Sequence, residues 1–318
     1  MPHRVELPLL PDLTYYSQRL MFFTPIKLPG CPLTLEKLSV FITTYNNERT
    51  LPTCLESVKW ADEIVVLDSL SNDATLEIAQ RYSCRIFQHP FMGYSKQKQM
   101  ALDHTIHRWV LLLDSDEALS PTLQEEIKRL LTTGPDADGY ELPRLEQLFW
   151  RMNNPNVRLN HFLRLFDKTK GRISTAPIHE SPEVEGAIKR INLPFYHYGE
   201  TSIHLKVDKT NKYSTGMAQH KIAQGARANP WVMVFYPPLY FLRTYVFKRN
   251  FLNGWAGFIT AVIGAFYVFL KYAKLYEHYQ IQQHGDPLPP QKSAGDIPQD
   301  TSSRKSPEKS GEKINSHS

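Results

Sequence analysis

The sequence VLLLDSDE, residues 110–117, joins four apolar residues directly to three acidic ones. Consecutive apolar residues predict a strand buried on both faces of a parallel sheet. Ligands of such sheets bind at the carboxyl ends of the strands, and carboxylates are costly to bury unless they are paired or hold a metal. Asp114 and Asp116 are therefore candidate ligands of a divalent cation that in turn holds a diphosphate. This chemistry is typical of an enzyme that uses an activated, phosphate-bearing donor.

Two further predicted strands end in polar clusters. Residues 38–44 read LSVFITT and run into YNNE, and residues 63–67 read EIVVL and run into DSLSND. Apolar spacing predicts helices at 51–59, 74–82 and 96–104 and a short strand at 84–87, and this alternation predicts a parallel sheet with crossover helices. Helix capping explains Asn72 or Asp73, but not Asp68 at the strand end itself. The three clusters at one sheet edge predict a site for a nucleotide-sugar or a similar donor.

On these segments the sequence resembles the family-two inverting glycosyltransferases, which have the GT-A fold. The resemblance rests on VFITTYNNE (40–48), VVLDSLSNDAT (65–75) and LDSDE (113–117). GYSKQK (93–98), GYELPR (139–144), RLF (164–166), IHE (178–180) and FLNGWAGF (251–258) resemble the subgroup that contains lipopolysaccharide inner-core β-glucosyltransferases. The resemblance covers about residues 37–279. It implies an α/β fold, with a mixed, mainly parallel sheet flanked by helices and a C-terminal helical, membrane-associated appendage.

The resemblance also implies the residues that bind the donor. Asp116, helped by Asp114, would hold Mg²⁺ or Mn²⁺ against the diphosphate of a nucleotide-sugar, with a UDP-sugar expected. The metal would neutralise the charge that builds on the leaving nucleoside diphosphate. The residues expected to bind the donor nucleotide are Thr43, Tyr45, Glu48, Asp68, Lys98 and Asp114.

An inverting transfer needs a general base for the acceptor hydroxyl. Glu180 is the candidate, with His179 beside it to orient the carboxylate or the acceptor, and Glu141 is the substitute. The other histidines, such as His161, His197 and His204, show no spacing typical of metal ligands. We interpret them as structural or surface residues.

Three positions depart from the family pattern. Leu70 stands where the family usually has glycine, Thr43 where it often has proline, and Gln99 where asparagine is commoner. Because glycine commonly serves positions with positive φ, Leu70 predicts a slightly different turn after Asp68. None of these departures removes a carboxylate, so the assignment of the site stands.

The composition suits a globular enzyme of one sizeable core with an appendage, since 42% of its 318 residues are hydrophobic. Three scattered cysteines favour a reducing cytoplasm, and the sequence contains no pattern of a signal peptide. We expect an irregular leader at 1–36, the GT-A catalytic domain at 37–205, a basic, apolar, helical membrane-associated region at 206–280 and a disordered tail at 281–318.

Charge is distributed unevenly along the chain. The stretch 209–276, hereafter the acid-free stretch, contains nine Lys and Arg residues and no Asp or Glu. It is too rich in apolar residues for a nucleic-acid interface, so no nucleic acid is expected, and an anionic membrane surface fits better. The uncharged run Phe251–Leu270 leaves three possibilities: an interfacial or re-entrant segment, a single span, or a buried core helix.

Together these features predict a metal-dependent glycosyltransferase at the cytoplasmic face of a bacterial inner membrane. The expected acceptor is a lipopolysaccharide core or a related glycolipid. Two alternatives stay open. A polyprenyl-phosphate sugar synthase would use the same donor but need no strong base, and a catalytically inactive, membrane-bound GT-A scaffold would keep only the fold.

Overall fold

The computed structural model describes residues 35–174, 181–227 and 229–285. Its strands are β1 Leu38–Thr44, β2 Glu63–Asp68, β3 Arg85–Gln88, β4 Trp109–Asp114, β5 Glu117–Leu119, β6 Gly139–Leu148, β7 Arg151–Met152, β8 Asn160–Asp167, β9 Gly171–Ile173, β10 Pro182–Val184, β11 Ile188–Arg190 and β12 Phe195–His197. Its helices are α1 Leu51–Glu56, α2 Thr75–Arg81, α3 Tyr94–Asp103, α4 Pro121–Thr133, α5 Ile203–Ala223, α6 Pro230–Leu242 and α7 Gly254–His284.

The main sheet has the strand order β3-β2-β1-β4-β8-β6-β12-β5, with β11 beside β6. Strands β3, β2, β1 and β4 are parallel, whereas β8 is antiparallel to both β4 and β6. The predicted mixed, mainly parallel sheet with flanking helices is therefore confirmed. In the observed register Thr44 lies opposite Asp68, and Thr43 lies opposite Asp114. The polar ends of β1, β2 and β4 thus meet at one edge of the sheet.

The parallel strands form because helices cover both of their faces. Every residue of β2 is buried, and the apolar residues of β1 and β4 are buried as well. One face packs against α1, α2 and α4, and the other packs against α3. Helix α4 begins as its sequence predicts, since the Ser120 hydroxyl accepts a hydrogen bond from the Leu123 amide and Pro121 occupies the first turn.

Some boundaries differ from the sequence prediction. Helix α1 ends at Glu56 rather than at residue 59, and the chain continues through a turn in which the Ser57 hydroxyl donates to the Cys54 carbonyl. Helix α3 begins at Tyr94, two residues before the predicted start. Residues 281–284, expected in the disordered tail, form the last turn of α7 instead. The leader up to residue 34 and the tail from residue 286 lie outside the described residues.

The chain forms two compact units. The described part of the first comprises residues 35–147 and 159–199, and that of the second comprises residues 148–158 and 200–285. The first unit, called the catalytic unit below, contains all three polar strand ends. The second, called the helical unit, contains α5, α6 and α7, with a π-helical turn, Arg243–Phe247, and a 3-10 turn, Asn250–Asn253, between the last two helices.

Candidate active site

Asp68, the last residue of β2, is fully buried and hydrogen-bonded. Its carboxylate accepts hydrogen bonds from the Ser71 amide, at 2.9 Å, from the Ser71 hydroxyl and from Gln88 Nε2, at 3.1 Å. These bonds close the turn that follows the strand. Asp68 therefore organises the polar cluster at the sheet edge, and its predicted contact with the donor nucleotide stays a prediction.

The loops after β1 and β2 are hydrogen-bonded to each other. The Asn46 amide donates to Ser71 Oγ at 2.9 Å, and the Asn47 amide donates to Thr75 Oγ1 at 2.8 Å. In the opposite direction, Glu48 accepts a hydrogen bond from the Ala74 amide at 3.1 Å. Glu48 thus ties the loops together. Tyr45, on the first loop, is 58% exposed and is free to contact a ligand from solvent.

Leu70 adopts a positive φ of 65° in the turn after Asp68. The expected change of turn is therefore wrong. The chain keeps the left-handed conformation that glycine would favour, and a leucine with 52% exposure takes it at an energetic cost of about 1–2 kcal/mol. The hydrogen bonds from Ser71 to Asp68 over-determine this turn, which explains why a strained residue persists there.

Asp114, at the end of β4, lies between two cations. Lys98 Nζ on α3 is 2.9 Å from Oδ1, and Arg164 Nη2 on β8 is 3.5 Å from Oδ2. Burial alone would raise the pKa of Asp114, but the positive charges of Lys98 and then Arg164 hold it well below its usual value. Both carboxylate oxygens are thus engaged by protein cations.

Glu117, three residues after Asp114, is a fully buried acid. Arg164 donates to its Oε1 at 2.6 Å, and the Asp114 amide donates to its Oε2 at 3.0 Å. Burial raises the pKa of Glu117 to about 7, against the opposing effect of Arg164. Together Lys98, Asp114, Arg164 and Glu117 form a compact group, called the ion cluster below. Its members lie on α3, β4, β5 and β8, so the ion cluster joins these four elements next to the polar end of β4.

Asp116, beyond the ion cluster, contacts a histidine. His197 Nε2, at the end of β12, lies 3.3 Å from Asp116 Oδ2, and His197 Nδ1 lies 2.5 Å from Glu146 Oε2 on β6. Burial would lower the pKa of His197, but the hydrogen bonds to Asp116 and Glu146 outweigh it and raise the pKa to about 10. The register of β12 brings these groups together, since His197 is the cross-strand neighbour of Glu146.

The segment after β12 approaches Asp116 closely. The Tyr198 amide donates to the Asp116 carbonyl at 2.8 Å. A Cβ at Gly199 would lie 2.6 Å from the His197 ring and 3.3 Å from Asp116 Oδ2, so only glycine fits without a shift. Backbone contacts therefore fix the position of Asp116 relative to His197.

Asp116 has a carboxylate to offer a divalent cation, but His197 is not arranged as a second ligand. Its raised pKa keeps the ring protonated, so both ring nitrogens donate to carboxylates, Nε2 to Asp116 and Nδ1 to Glu146. Among the described residues, no group of three or more His, Cys, Asp or Glu side chains is arranged to hold a metal ion. Mg²⁺ characteristically takes one or two protein ligands and completes its shell with water and substrate phosphates. A cation bound there would have Asp116 as its protein ligand and would take its other ligands from water and a diphosphate.

The predicted base and its substitute have different outcomes. His179 and Glu180 lie outside the described residues. Glu141, on β6, accepts a hydrogen bond from Arg190 Nε at 2.8 Å, on the neighbouring strand β11. Its predicted role as a base stays a prediction.

Sequence reasoning missed His197, Glu146 and Arg164 as members of the site. Local spacing indicates a structural or surface role for His197, because no spacing typical of metal ligands surrounds it in the sequence. Its partners are 51 and 81 positions away in the chain, as the numbering shows. Only the strand order brings them together.

Comparison with known proteins identifies the family. The family model described as glycosyl transferase family 2 matches residues 39–180. The lipopolysaccharide core biosynthesis glycosyltransferase LpsC of Rhizobium meliloti is 34% identical over 253 residues, which are 77% of this chain and 94% of LpsC. An uncharacterized glycosyltransferase of Rickettsia felis is 31% identical, over 76% of this chain and 90% of its own length. The chain belongs to glycosyltransferase family 2 and is a glycosyltransferase.

Similarity to solved structures is lower. Residues 1–349 of Staphylococcus aureus TarS, in complex with UDP-GlcNAc, match with a TM-score of 0.42 and 14% identity over 77% of this chain and 92% of that chain. Glucosyl-3-phosphoglycerate synthase of Mycobacterium tuberculosis, with Mg²⁺ and UDP, matches with a TM-score of 0.30 and 23% identity over 35% of this chain and 44% of that one.

The strained turn at Leu70 predicts a stabilising substitution. Leu70→Gly removes the left-handed penalty of about 1–2 kcal/mol and adds about 0.5–1 kcal/mol of backbone entropy cost. We expect a net gain of roughly 0.5–1 kcal/mol in the free energy of unfolding, measured by urea denaturation at an unchanged m value. Leu70→Ala is the matched control, because it removes the exposed side chain but keeps the strain. Equal stability of the glycine and alanine variants would contradict the strain.

Proposed function

We propose that this glycosyltransferase moves a sugar from a nucleotide-diphosphate donor to a lipopolysaccharide core or related glycolipid, with inversion at the anomeric carbon. The observation that carries the proposal is the convergence of Asp116, His197 and Glu146 beside the polar strand ends. The similarity to LpsC over most of both chains supports the acceptor class. A UDP-sugar is the donor that we would test first.

The metal in this proposal is Mg²⁺ or Mn²⁺, held by Asp116, and His197 positions the Asp116 carboxylate. When bound, it would supply electrostatic stabilisation of the leaving diphosphate. Asp114 was also predicted as a ligand, but its engagement by Lys98 and Arg164 favours a different role. We assign it to positioning the turn that carries Asp116. Lys98, predicted to contact the diphosphate, is likewise engaged with Asp114, and it adds positive charge to the same edge of the sheet.

The proposed base is Glu180, oriented by His179. In an inverting transfer the acceptor hydroxyl loses its proton to the base while its oxygen attacks the anomeric carbon. The bond from that carbon to the diphosphate oxygen breaks, and the nucleoside diphosphate leaves with the electron pair. Glu180 lies within the region that the family model matches. Glu141 remains the substitute.

Membrane attachment is part of the proposal. The helix that includes α7 and its preceding 3-10 turn, Asn250–His284, is long and apolar enough to cross a membrane by length and composition alone, and 28% of its most apolar stretch is buried. The acid-free stretch around it would attract the anionic lipids of the cytoplasmic leaflet. Attachment would confine the enzyme to the surface that carries a lipid-linked acceptor.

The metal assignment predicts a pattern of binding constants. We expect Asp116→Asn to weaken Mn²⁺ binding in the presence of UDP at least tenfold, measured by isothermal titration calorimetry. Glu146→Gln should weaken it less than Asp116→Asn does, because Glu146 contacts His197 and not the proposed metal ligand. Glu126→Gln, which removes a charge from the exposed pair with Arg129, is the matched control and should bind like the unaltered enzyme. Unchanged Mn²⁺ affinity in Asp116→Asn would overturn the assignment.

The base assignment predicts a selective loss of transfer. Glu180→Gln keeps the shape of the side chain but removes its basicity, so transfer should fall about a hundredfold or more while donor binding is retained. The assay would combine radiolabelled UDP-sugars with core-truncated lipopolysaccharide. Glu141→Gln is the comparison variant and should keep most of its activity.

Each other outcome of this assay points to a defined alternative. Normal transfer by Glu180→Gln together with loss in Glu141→Gln would exchange the two roles. Full activity in both variants would favour a phosphate acceptor, as in a polyprenyl-phosphate sugar synthase. Binding of donors without turnover on any glycolipid or polyprenyl-phosphate acceptor would favour the inactive scaffold.

A further inference from the structure

Helix α7 has one covered face and one exposed face along its apolar part. On the covered face, Ala256, Ile259 and Ile263 pack against Leu148 and Phe149 of the same helical unit. The other face presents a row of large apolar side chains that are 39–77% exposed. These residues, hereafter the α7 stripe, are Trp255, Val262, Phe266 and Phe269.

Helix α6 is divided in the same way. One face packs on α7, where the ring centroids of Tyr236 and Tyr272 are 6.0 Å apart and those of Phe241 and Phe258 are 5.8 Å apart. The other face carries side chains that are 47–67% exposed at the spacing of one helical face. These residues, hereafter the α6 stripe, are Trp231, Val234, Phe235, Leu239 and Leu242.

Polar groups tie the beginning of α7 to the segment 148–158. The Asn154 amide donates to Asn253 Oδ1 at 2.7 Å, and Asn253 Nδ2 donates to Asn153 Oδ1 at 2.8 Å. The Arg158 amide also donates to the Lys248 carbonyl, at 3.1 Å. This segment packs on one face of α7 as far as Ile263 and carries Arg151 and Arg158. If α7 crossed a bilayer, these polar and charged groups would enter the hydrocarbon with it, at a high free-energy cost.

The charges around the stripes indicate their occupant. Arg243, Lys248 and Arg249 lie in the turns between α6 and α7, and no acidic residue occurs between residues 209 and 276. Trp and Phe beside Lys and Arg are typical of helices that lie in the headgroup zone of an anionic leaflet. A soluble partner protein would need acidic and apolar groups in one complementary surface, whereas such a leaflet supplies both everywhere.

We propose that α6 and α7 lie in the plane of the membrane, with the two stripes in the interfacial zone of one anionic phospholipid leaflet, and that α7 does not cross the bilayer. This inference rests on the proposed membrane attachment and deepens it. It names the surface that enters the lipid and selects the interfacial possibility for the run 251–270. The covered face of α7 stays on the segment 148–158, on the aqueous side.

The depth of Val262 in the bilayer distinguishes a helix that lies in the plane of the membrane from a helix that spans the membrane. Val262 is at the middle of the apolar run, so it would reach the bilayer centre in a spanning helix and stay shallow in our arrangement. The test uses the full chain with Val262→Trp and Trp255→Phe, bound to vesicles of phosphatidylglycerol and phosphatidylethanolamine. The tryptophan emission of this double variant is compared with that of the Trp255→Phe chain, and the difference is the emission of the tryptophan added at position 262. Brominated lipids with bromine near the headgroup should quench the added emission most. Strongest quenching by bromine near the chain ends would overturn the proposal.

Placing a negative charge on each stripe provides a second test, which does not depend on the depth of the helix in the bilayer. Phe235→Glu and Phe266→Glu, one on each stripe, should each reduce partitioning into the same anionic vesicles at least tenfold in a sedimentation assay. Ile106→Glu is the matched control, because Ile106 is 66% exposed in the catalytic unit, and its partitioning should not change. Calorimetric binding of UDP with Mn²⁺ and the far-UV circular dichroism spectrum should be unchanged in all three variants, which shows that both units of each are folded.

The remaining outcomes separate this inference from the proposed function. Unchanged partitioning in both stripe variants would overturn the inference. If those variants instead convert a dimer into a monomer without any change in partitioning, the stripes bind a second copy of the chain. Sugar transfer measured on a detergent-dispersed acceptor is independent of vesicle binding. An enzyme that transfers sugar but shows no vesicle binding would therefore contradict the membrane attachment and leave the glycosyltransferase reaction standing.

Discussion

The ion pair between Lys98 and Asp114, with Arg164 on the other carboxylate oxygen, is the interaction on which the site depends. Lys98 and Arg164 are almost fully buried, so each needs the carboxylates that it contacts. Removing one partner of a buried pair leaves an uncompensated charge and costs about 3–5 kcal/mol. The pair therefore holds α3, β4 and β8 in a fixed relation, and it fixes the point at which the chain turns towards Asp116.

This constraint divides the two aspartates between two tasks. Asp114 neutralises protein cations, and Asp116 is left to face His197. Glu146 then fixes the imidazole from behind, and Gly199 allows the chain to pass close to both groups. In the proposed function, a cation held by Asp116 would complete its ligand shell only with a diphosphate. That requirement would couple cation binding to donor binding.

The sequence predicted the strands and their polar ends well, because apolar runs such as residues 110–113 have one physical explanation in a parallel sheet. Asp68, Asp114 and Asp116 stood out because capping does not need them. His197 and Glu146 could not be found in this way, because strand pairing between distant segments, not local spacing, brings them to Asp116. The positive φ of Leu70 could not be predicted from local preference either, because hydrogen bonds from Ser71 to Asp68 hold a turn that leucine disfavours. Composition predicted the basic, apolar C-terminal region, but only the packing of α6 and α7 distinguishes their covered faces from their exposed ones.

The most direct test of this account is the position of Mn²⁺ in crystals grown with UDP, located by anomalous scattering. The account predicts one peak within bonding distance of the Asp116 carboxylate and of the diphosphate, with His197 still in contact with Asp116. Lys98 should still contact Asp114 in the same crystals, and Glu146 should still contact His197 Nδ1. A peak bonded to Asp114 with Lys98 displaced, or a bound UDP with no peak near Asp116, would contradict it.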